Sequence, residues 1–230
     1  KRLIVLDIKI KTALISVSDK SGLDVVIKKL HEEEVKLIST GGTAQFIRDM
    51  DIPVTDVSDI TNFPEMMDGR VKTLHPNIHG GLLAVRDNQD HKESQEEYNI
   101  ENIDLLIVNL YPFENIVNTG TKDEICVENI DIGGPAMLRS ASKNHKYVCV
   151  VSDISDYSNL IDELSKNAGK TSLDFRTKCA AVTFERTAHY DGIISKWFKR
   201  NSNDLKENFI APATLIKKLR YGENPHQDAG

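Results

Sequence analysis

The sequence has little of what marks a membrane, secreted or nucleic-acid-binding protein. The apolar stretch around residues 103–108 falls far short of the roughly 20 residues that a membrane-spanning helix needs. The opening Lys1-Arg-Leu-Ile-Val-Leu-Asp-Ile has no signal-peptide cleavage pattern, so a cytoplasmic address is expected and no membrane partner. Cysteine is scarce: Cys126, Cys149 and Cys179 are too few and too scattered for a disulfide framework, and none belongs to a Cys-x-x-Cys pair. They read as reduced core thiols. Positive charge is not in excess either. A net charge of −6 and the lack of any Lys/Arg run interleaved with aromatics argue against a nucleic-acid partner, although a local basic pocket for one phosphate stays compatible with that total. No internal repeat is visible. What remains is ordinary globular composition, 40% apolar and 28% charged, over a length that suits one α/β core plus a tail.

Residues 12–17 form a short apolar run ending in Ser-Val-Ser-Asp-Lys-Ser-Gly, and residues 23–34 then place Leu23, Val26, Ile27 and Leu30 at helical spacing. Residues 35–38 are a second strand candidate, followed by Ser39-Thr-Gly-Gly-Thr43 and a helix carrying Phe46 and Ile47, with a third strand over 54–57. This period favours parallel βαβ units. Residues 61–81, rich in Gly, Pro and His, read as a long ordered loop leading into 78–85, and long loops in compact domains are often functional. Residues 104–109 are the clearest buried strand, and Pro112 ends its pairing. Asp131-Ile-Gly-Gly-Pro opens a helix over 136–142, with Pro135 acceptable in the first turn, and 147–151 is one more strand. About five mainly parallel strands are expected, then one or two amphipathic helices over 171–198 and a polar linker from Asn201.

In open α/β sheets ligands bind beyond the carboxyl ends of the strands, and three such ends in this chain carry small polar residues: Ser16-Val-Ser18-Asp-Lys20, Ser39-Thr40-Gly-Gly42-Thr43 and Asn109-Leu-Tyr111. Glycines admit an anion close to backbone N–H groups, and a following helix adds its positive end. Thr40 to Thr43 is therefore the phosphate candidate; its alternative reading is a tight strand-to-helix turn with Thr43 as N-cap. Gly69-Arg70-Val-Lys72-Thr73-Leu-His75-Pro76 puts two cations on one side of an extended segment, where they form either an anion clamp or a pair of solvated surface charges. His75 and His79 stand at i and i+4, but Pro76 argues against a regular helix across them and no third ligand is evident, so no metal site is expected. Asp131, ahead of Gly133-Gly134, reads as a helix cap or as a catalytic acid–base group. Lys143 lies about 15 Å from Gly133 along any continuous helix, so Asp131 and Lys143 cannot meet one group through that helix alone.

Taken together, Ser16-Val-Ser-Asp-Lys20, Ser39-Thr-Gly-Gly-Thr43, Phe63-Pro-Glu-Met66, Gly69-Arg-Val-Lys-Thr-Leu-His-Pro76, Asn109-Leu-Tyr-Pro-Phe113, Asp131-Ile-Gly-Gly134 and Lys143-Asn-His145 resemble, in order and spacing, the N-terminal domain of the bifunctional formyltransferase and inosine monophosphate (IMP) cyclohydrolase family. Thr40 stands where a serine is usual there, which keeps the hydroxyl. The resemblance implies an α/β, methylglyoxal-synthase-like (MGS-like) Rossmann-type domain over 12–200, behind an extension over 1–11 that has no counterpart and can pair as an extra strand. Residues 201–230 would be a linker and the start of the formyltransferase domain, through Leu219-Arg-Tyr-Gly-Glu-Asn-Pro-His-Gln227.

The implied reaction is dehydrative ring closure: the carboxamide nitrogen of 5-formamidoimidazole-4-carboxamide ribotide attacks the formyl carbon, and the carbinolamine loses water to give IMP. The resemblance assigns this work to Lys72, Tyr111, Asp131 and Lys143. Asp131 would take the amide proton, the lysines would stabilise developing negative charge, and Tyr111 would relay or orient. It assigns nucleotide binding to Ser16, Ser18, Lys20, Thr40, Gly42, Thr43, Arg70, Thr73, Asn109, Gly133 and Gly134. No metal and no redox cofactor is implied. Folate-dependent transfer from 10-formyltetrahydrofolate is expected only with the larger C-terminal region, and a homodimer is a possible assembly. Two rival classes are a phosphate- or nucleotide-sensing module of the same fold, which needs the Gly/Thr cradle but not the four-residue set, and methylglyoxal synthase, whose Asp-rich arrangement is not found.

Overall fold

A computed structural model describes residues 7–64, 66–201, 210, 212 and 213. The chain divides into two compact units, one up to Thr187 and one from Ala188 onward, and the sheet described next belongs to the first. Its elements run β1 (Ile8–Lys9), β2 (Thr12–Val17), α1 (Leu23–Glu32), β3 (Lys36–Ser39), α2 (Gly41–Arg48), β4 (Thr55–Asp56), α3 (Val57–Thr61), a short 3-10 turn (Met67–Gly69), α4 (Pro76–Leu83), α5 (Gln89–Glu97), β5 (Leu105–Asn109), α6 (Phe113–Asn118), α7 (Asp123–Glu128), α8 (Gly133–Lys143), β6 (Cys149–Val151), a 3-10 turn (Ile154–Asp156), α9 (Tyr157–Lys166), β7 (Lys170–Thr171) and α10 (Leu173–Phe198).

Five strands form one parallel sheet in the order β4-β3-β2-β5-β6. The expected strand count and direction therefore hold, although β4 is only two residues long. Side chains alternate across this sheet, as a period of two requires. Ala13, Ile15, Val17, Leu105 and Ile107 pack with Leu23, Val26, Ile27 and Leu30 of α1 and with Leu160 and Leu164 of α9. Leu14, Leu106 and Val108 pack with Ile78 and Leu82 of α4 and with Met137, Leu138 and Ala141 of α8. The result is a helix–sheet–helix sandwich. The extension does pair: β1 runs antiparallel to β7, with Ile8 opposite Thr171.

Two buried polar residues fix the frame. Asp104 accepts from the backbone N–H groups of Lys11 (2.8 Å) and Thr12 (2.9 Å) and from Arg86 (2.6 Å), locking the starts of β2 and β5 together. Arg176, fully buried, donates to the carbonyls of Thr171, His145 and Lys146.

The loop expected over 61–81 is partly helical. Pro76 begins α4 instead of breaking a helix, because at N1 its missing N–H has no intrahelical partner to lose. His75 becomes the N-cap, its Nδ1 accepting from the Asn77 N–H at 3.1 Å. Residues 171–198 hold a single helix.

Candidate functional site

The sheet order sets the position of the site. From β2 the chain winds outward through β3 and β4, then returns to the other side of β2 to form β5 and β6. The direction reverses between β2 and β5, and at such a switch point the loops leaving two neighbouring strands part and open a crevice. The pairing of Val17 with Asn109 brings both strand ends to its floor. A cavity of about 620 Å³ opens there, within the size range of small-ligand sites.

Its floor is tied by side chains. Asn109 Oδ1 accepts from Ser18 N–H (2.7 Å), Ser18 Oγ (2.8 Å) and Asp19 N–H (3.2 Å), while Nδ2 donates to the Asp19 carbonyl (2.7 Å). The end of β5 thus shapes the Ser16–Lys20 loop. Ser16 Oγ and Thr40 Oγ1 lie 3.3 Å apart, joining the ends of β2 and β3. Thr43 does not cap α2. It lies one turn inside the helix, buried, and its hydroxyl accepts from the Val17 N–H and donates to the Val17 carbonyl. Thr40 holds the N-cap position without a side-chain cap bond.

Above this floor are two ammonium groups. Gly41 has φ +47°, a conformation that favours glycine. A Cβ there would stand 3.4 Å from Lys72 Nζ, and one on Gly42 would stand 3.8 Å from Lys20 Nζ. Gly41 and Gly42, at the N-terminus of α2, where the first N–H groups have no partner within their own helix, line the same cavity as these two lysines. Arg70 and Lys72 both line the cavity, but not through the extended geometry expected of them. Arg70 to Thr73 is a turn, preceded by three successive left-handed residues: Met67 (φ 51°), Asp68 (53°) and Gly69 (80°). Arg70 forms an ion pair with Glu128.

The opposite wall is the start of α8. Asp131 Oδ1 accepts from the Gly134 N–H at 2.8 Å, so the helix-capping role is real. The approach depends on both glycines: a Cβ on Gly134 would overlap the Asp131 carboxylate, and one on Gly133 would stand 2.5 Å from Thr73 Oγ1. Burial pushes the Asp131 carboxyl above its usual pKa, against the opposing pull of the Gly134 N–H. The Tyr111 hydroxyl is also pushed up, first by burial and then by the negative charge of Asp131.

The cavity lining thus includes Ser16, Ser18, Lys20, Thr40, Gly42, Thr43, Arg70, Lys72, Thr73, Asn109, Tyr111, Asp131, Gly133 and Gly134. Lys143 is not there, and this corrects its grouping with the other three. Helix α8 is continuous from Gly133 to Lys143, and its rise carries Lys143 about 15 Å away, to an exposed position at the far end. Asp68, Val127, Glu128, Ile130 and Ile132 also line the cavity and escape the sequence reading; Val127 and Glu128 lie on α7, which has no periodic signal. His75 and His79 are directed elsewhere: His79 Nδ1 lies 3.0 Å from Ser140 Oγ. Among the described residues no group of three or more His, Cys, Asp or Glu is placed to hold a metal ion, and no helix is long and apolar enough to cross a membrane.

Fold and cavity define a doubly wound α/β domain in which the glycine turn after β3 lines a cavity at the switch point. Residues 22–136 match the MGS-like domain family, and residues 141–230 match the AICARFT/IMPCHase bienzyme family. The bifunctional purine biosynthesis protein PurH of Bradyrhizobium diazoefficiens is 54% identical over 222 residues, 96% of this chain and 42% of that protein. PurH of Agrobacterium fabrum is 53% identical over 224 residues, covering 97% and 42%. A crystal structure described as ForH superposes with a TM-score of 0.70 at 31% identity, over 82% of this chain and 98% of that one. The chain belongs to the MGS-like domain family, matches the AICARFT/IMPCHase bienzyme family over residues 141–230, and spans 42% of the length of those two relatives.

Proposed function

We propose that this cavity is an IMP cyclohydrolase site, closing 5-formamidoimidazole-4-carboxamide ribotide to IMP with loss of water. The observation that carries the reading is Asp131: a carboxylate folded back on the start of α8, where the absence of a side chain at Gly134 admits it, raised in pKa by burial and electrostatically coupled to Tyr111. A primary amide is a weak nucleophile, so its attack needs a positioned proton acceptor, and a carboxylate with a raised pKa is a better one than a solvated carboxylate. The phosphate would lie on the N–H groups at Gly41 and Gly42 between Lys20 and Lys72, with Arg70, from the same turn as Lys72 and lining the same cavity, as a further donor to it. Lys72 would then stand between the phosphate end and the reacting end, where it offsets charge developing on the former formyl oxygen. Holding the two reacting groups in contact is itself a large share of the rate enhancement. Family membership supports the same reading through the PurH relatives.

The steps need only proton transfers. The amide nitrogen loses a proton to Asp131 as it bonds to the formyl carbon, and that proton passes to the former formyl oxygen to give the carbinolamine hydroxyl; the hydroxyl then leaves as water with the proton of the former formamido nitrogen, as the ring C=N bond forms. Lys143 enters neither step, because it stands away from the cavity. The test is to give the purified chain the formylated ribotide without folate and to follow IMP by ultraviolet absorbance. Saturable turnover that is lost in Lys72→Ala is expected. Tight nucleotide binding without turnover would instead make the domain a sensor.

A further inference from the structure

Opposite charges meet at the edge of this cavity. Arg70, just after the left-handed Met67-Asp68-Gly69 run, is ion-paired with Glu128, and both side chains line the cavity. Helix energetics do not explain Glu128. It is the last residue of α7, where the unpaired carbonyls disfavour an anion, whereas Asp123 and Glu124 hold the favourable first turn. Fold stability does not explain the pair either, since its side chains keep 64% and 57% of their exposure and solvent-open pairs of this kind contribute little. What the pair does is fill a ligand's place. A guanidinium receives carboxylate and phosphate oxygens with the same planar donor geometry, so Glu128 occupies the position that an anion entering the cavity would take.

We propose that Glu128 is a resident counter-anion for Arg70, holding the guanidinium in the ligand-free protein and yielding it to the phosphate of an incoming ligand. The inference rests on the reading of the cavity as a nucleotide site and adds to it a positioning residue that also sets specificity. Near neutral pH a phosphate monoester carries close to two negative charges and a carboxylate one. Exchange on Arg70 therefore favours a phosphorylated ligand, while a nucleoside or a weak monoanion gains too little to displace Glu128.

The test compares the parent chain with Glu128→Gln, which removes the charge and keeps the shape, and Glu128→Asp, which keeps the charge. Arg70→Ala and the Arg70→Ala/Glu128→Gln double variant complete the cycle. Each is titrated calorimetrically with inorganic phosphate and with IMP, at low salt and at about 0.3 M salt, where screening shortens the reach of charge. Glu128→Gln is expected to bind both about two- to fivefold tighter, the range spanned by solvent-open ion pairs. The gain should shrink with salt and largely vanish once Arg70 is gone, and Glu128→Asp should stay within about twofold of the parent. In turnover, KM should fall with kcat unchanged. Unchanged or weaker binding by Glu128→Gln, or a gain that survives intact without Arg70, overturns the proposal. If the parent binds phosphate but not IMP, the nucleotide reading fails and the phosphate titration still decides Glu128. If neither chain binds phosphate, Arg70 receives no anion and the proposal falls with it.

Discussion

Replacing Gly134 by alanine puts the local role of Asp131 to a test of sign. By helix propensity alone the change should stabilise, since glycine within a helix is worse than alanine by about 1 kcal/mol, and Gly134 is not among the positive-φ residues. The close approach of Asp131 reverses this expectation. A Cβ at Gly134 would overlap the carboxylate, with Asp131 Cγ at 2.9 Å and Oδ1 at 3.1 Å, so the carboxylate must swing away and surrender the 2.8 Å bond from the Gly134 N–H. Hydrogen bonds to charged groups are worth about 1.5–3 kcal/mol. Set against a propensity gain of about 1 kcal/mol, the variant should be less stable by roughly 1 kcal/mol. The effect on turnover should be larger, because displacing a proton acceptor by about an ångström can lower the rate by about a hundredfold. Denaturant unfolding gives the first quantity and IMP formation the second. An alanine variant that is stabilised by about 1 kcal/mol and turns over normally would refute both the capping and the catalytic role of Asp131.

Burial raises the Asp131 pKa, so at pH values between its unfolded and folded pKa the native state holds the extra proton and stability falls as pH rises. Asp131→Asn should therefore be more stable than the parent at pH 7, with the advantage fading below about pH 4, while turnover is lost; unfolding curves at both pH values check it. Asn109→Ala removes four hydrogen bonds that shape the Ser16–Lys20 loop. KM should rise by about tenfold, equivalent to roughly 1.4 kcal/mol, with a smaller change in kcat, and a fall in kcat with KM unchanged would show that the loop acts only in the transition state. Lys143→Ala should leave the calorimetric affinity for IMP within about twofold, since α8 carries that side chain roughly 15 Å from Gly133. A tenfold loss would place the ammonium in the cavity.

The sheet is legible in the sequence because buried strands write themselves as apolar runs, and residues 12–17 and 105–109 are the plainest in the chain. Helix α1 is legible because Leu23, Val26, Ile27 and Leu30 all face the core. The shorter helices are not. Among the described residues α5 buries no side chain, and α6 and α7 bury one each, Phe113 and Cys126, so no periodic stripe exists for the eye to find. Glu128 stays hidden for that reason. Pro76 misleads because a proline that starts a helix looks, in sequence, like one that stops it. The resemblance assigns the glycines at 133 and 134 to nucleotide binding; that their nearest neighbours are Thr73 and Asp131 is something pattern alone does not reveal.

Core packing and site geometry rest on the same alternation. Leu105 and Ile107 belong to one face of the sheet and Leu106 and Val108 to the other, so a slip of β5 by one residue against β2 would exchange the side chains of two packed cores. That penalty fixes Val17 opposite Asn109. The pairing in turn delivers the Asn109 amide to Ser18 and Asp19 at hydrogen-bond distance, and the loop so held forms one side of the cavity at the switch point. The buried Asp104 reinforces the register from the other end by binding the backbone of Lys11 and Thr12. A conservative repacking of β5 that preserves volume should therefore leave the site intact. A change that shifts register would dismantle the Ser16–Lys20 loop before it unfolds the domain, because the loop depends on one side chain and the core on many.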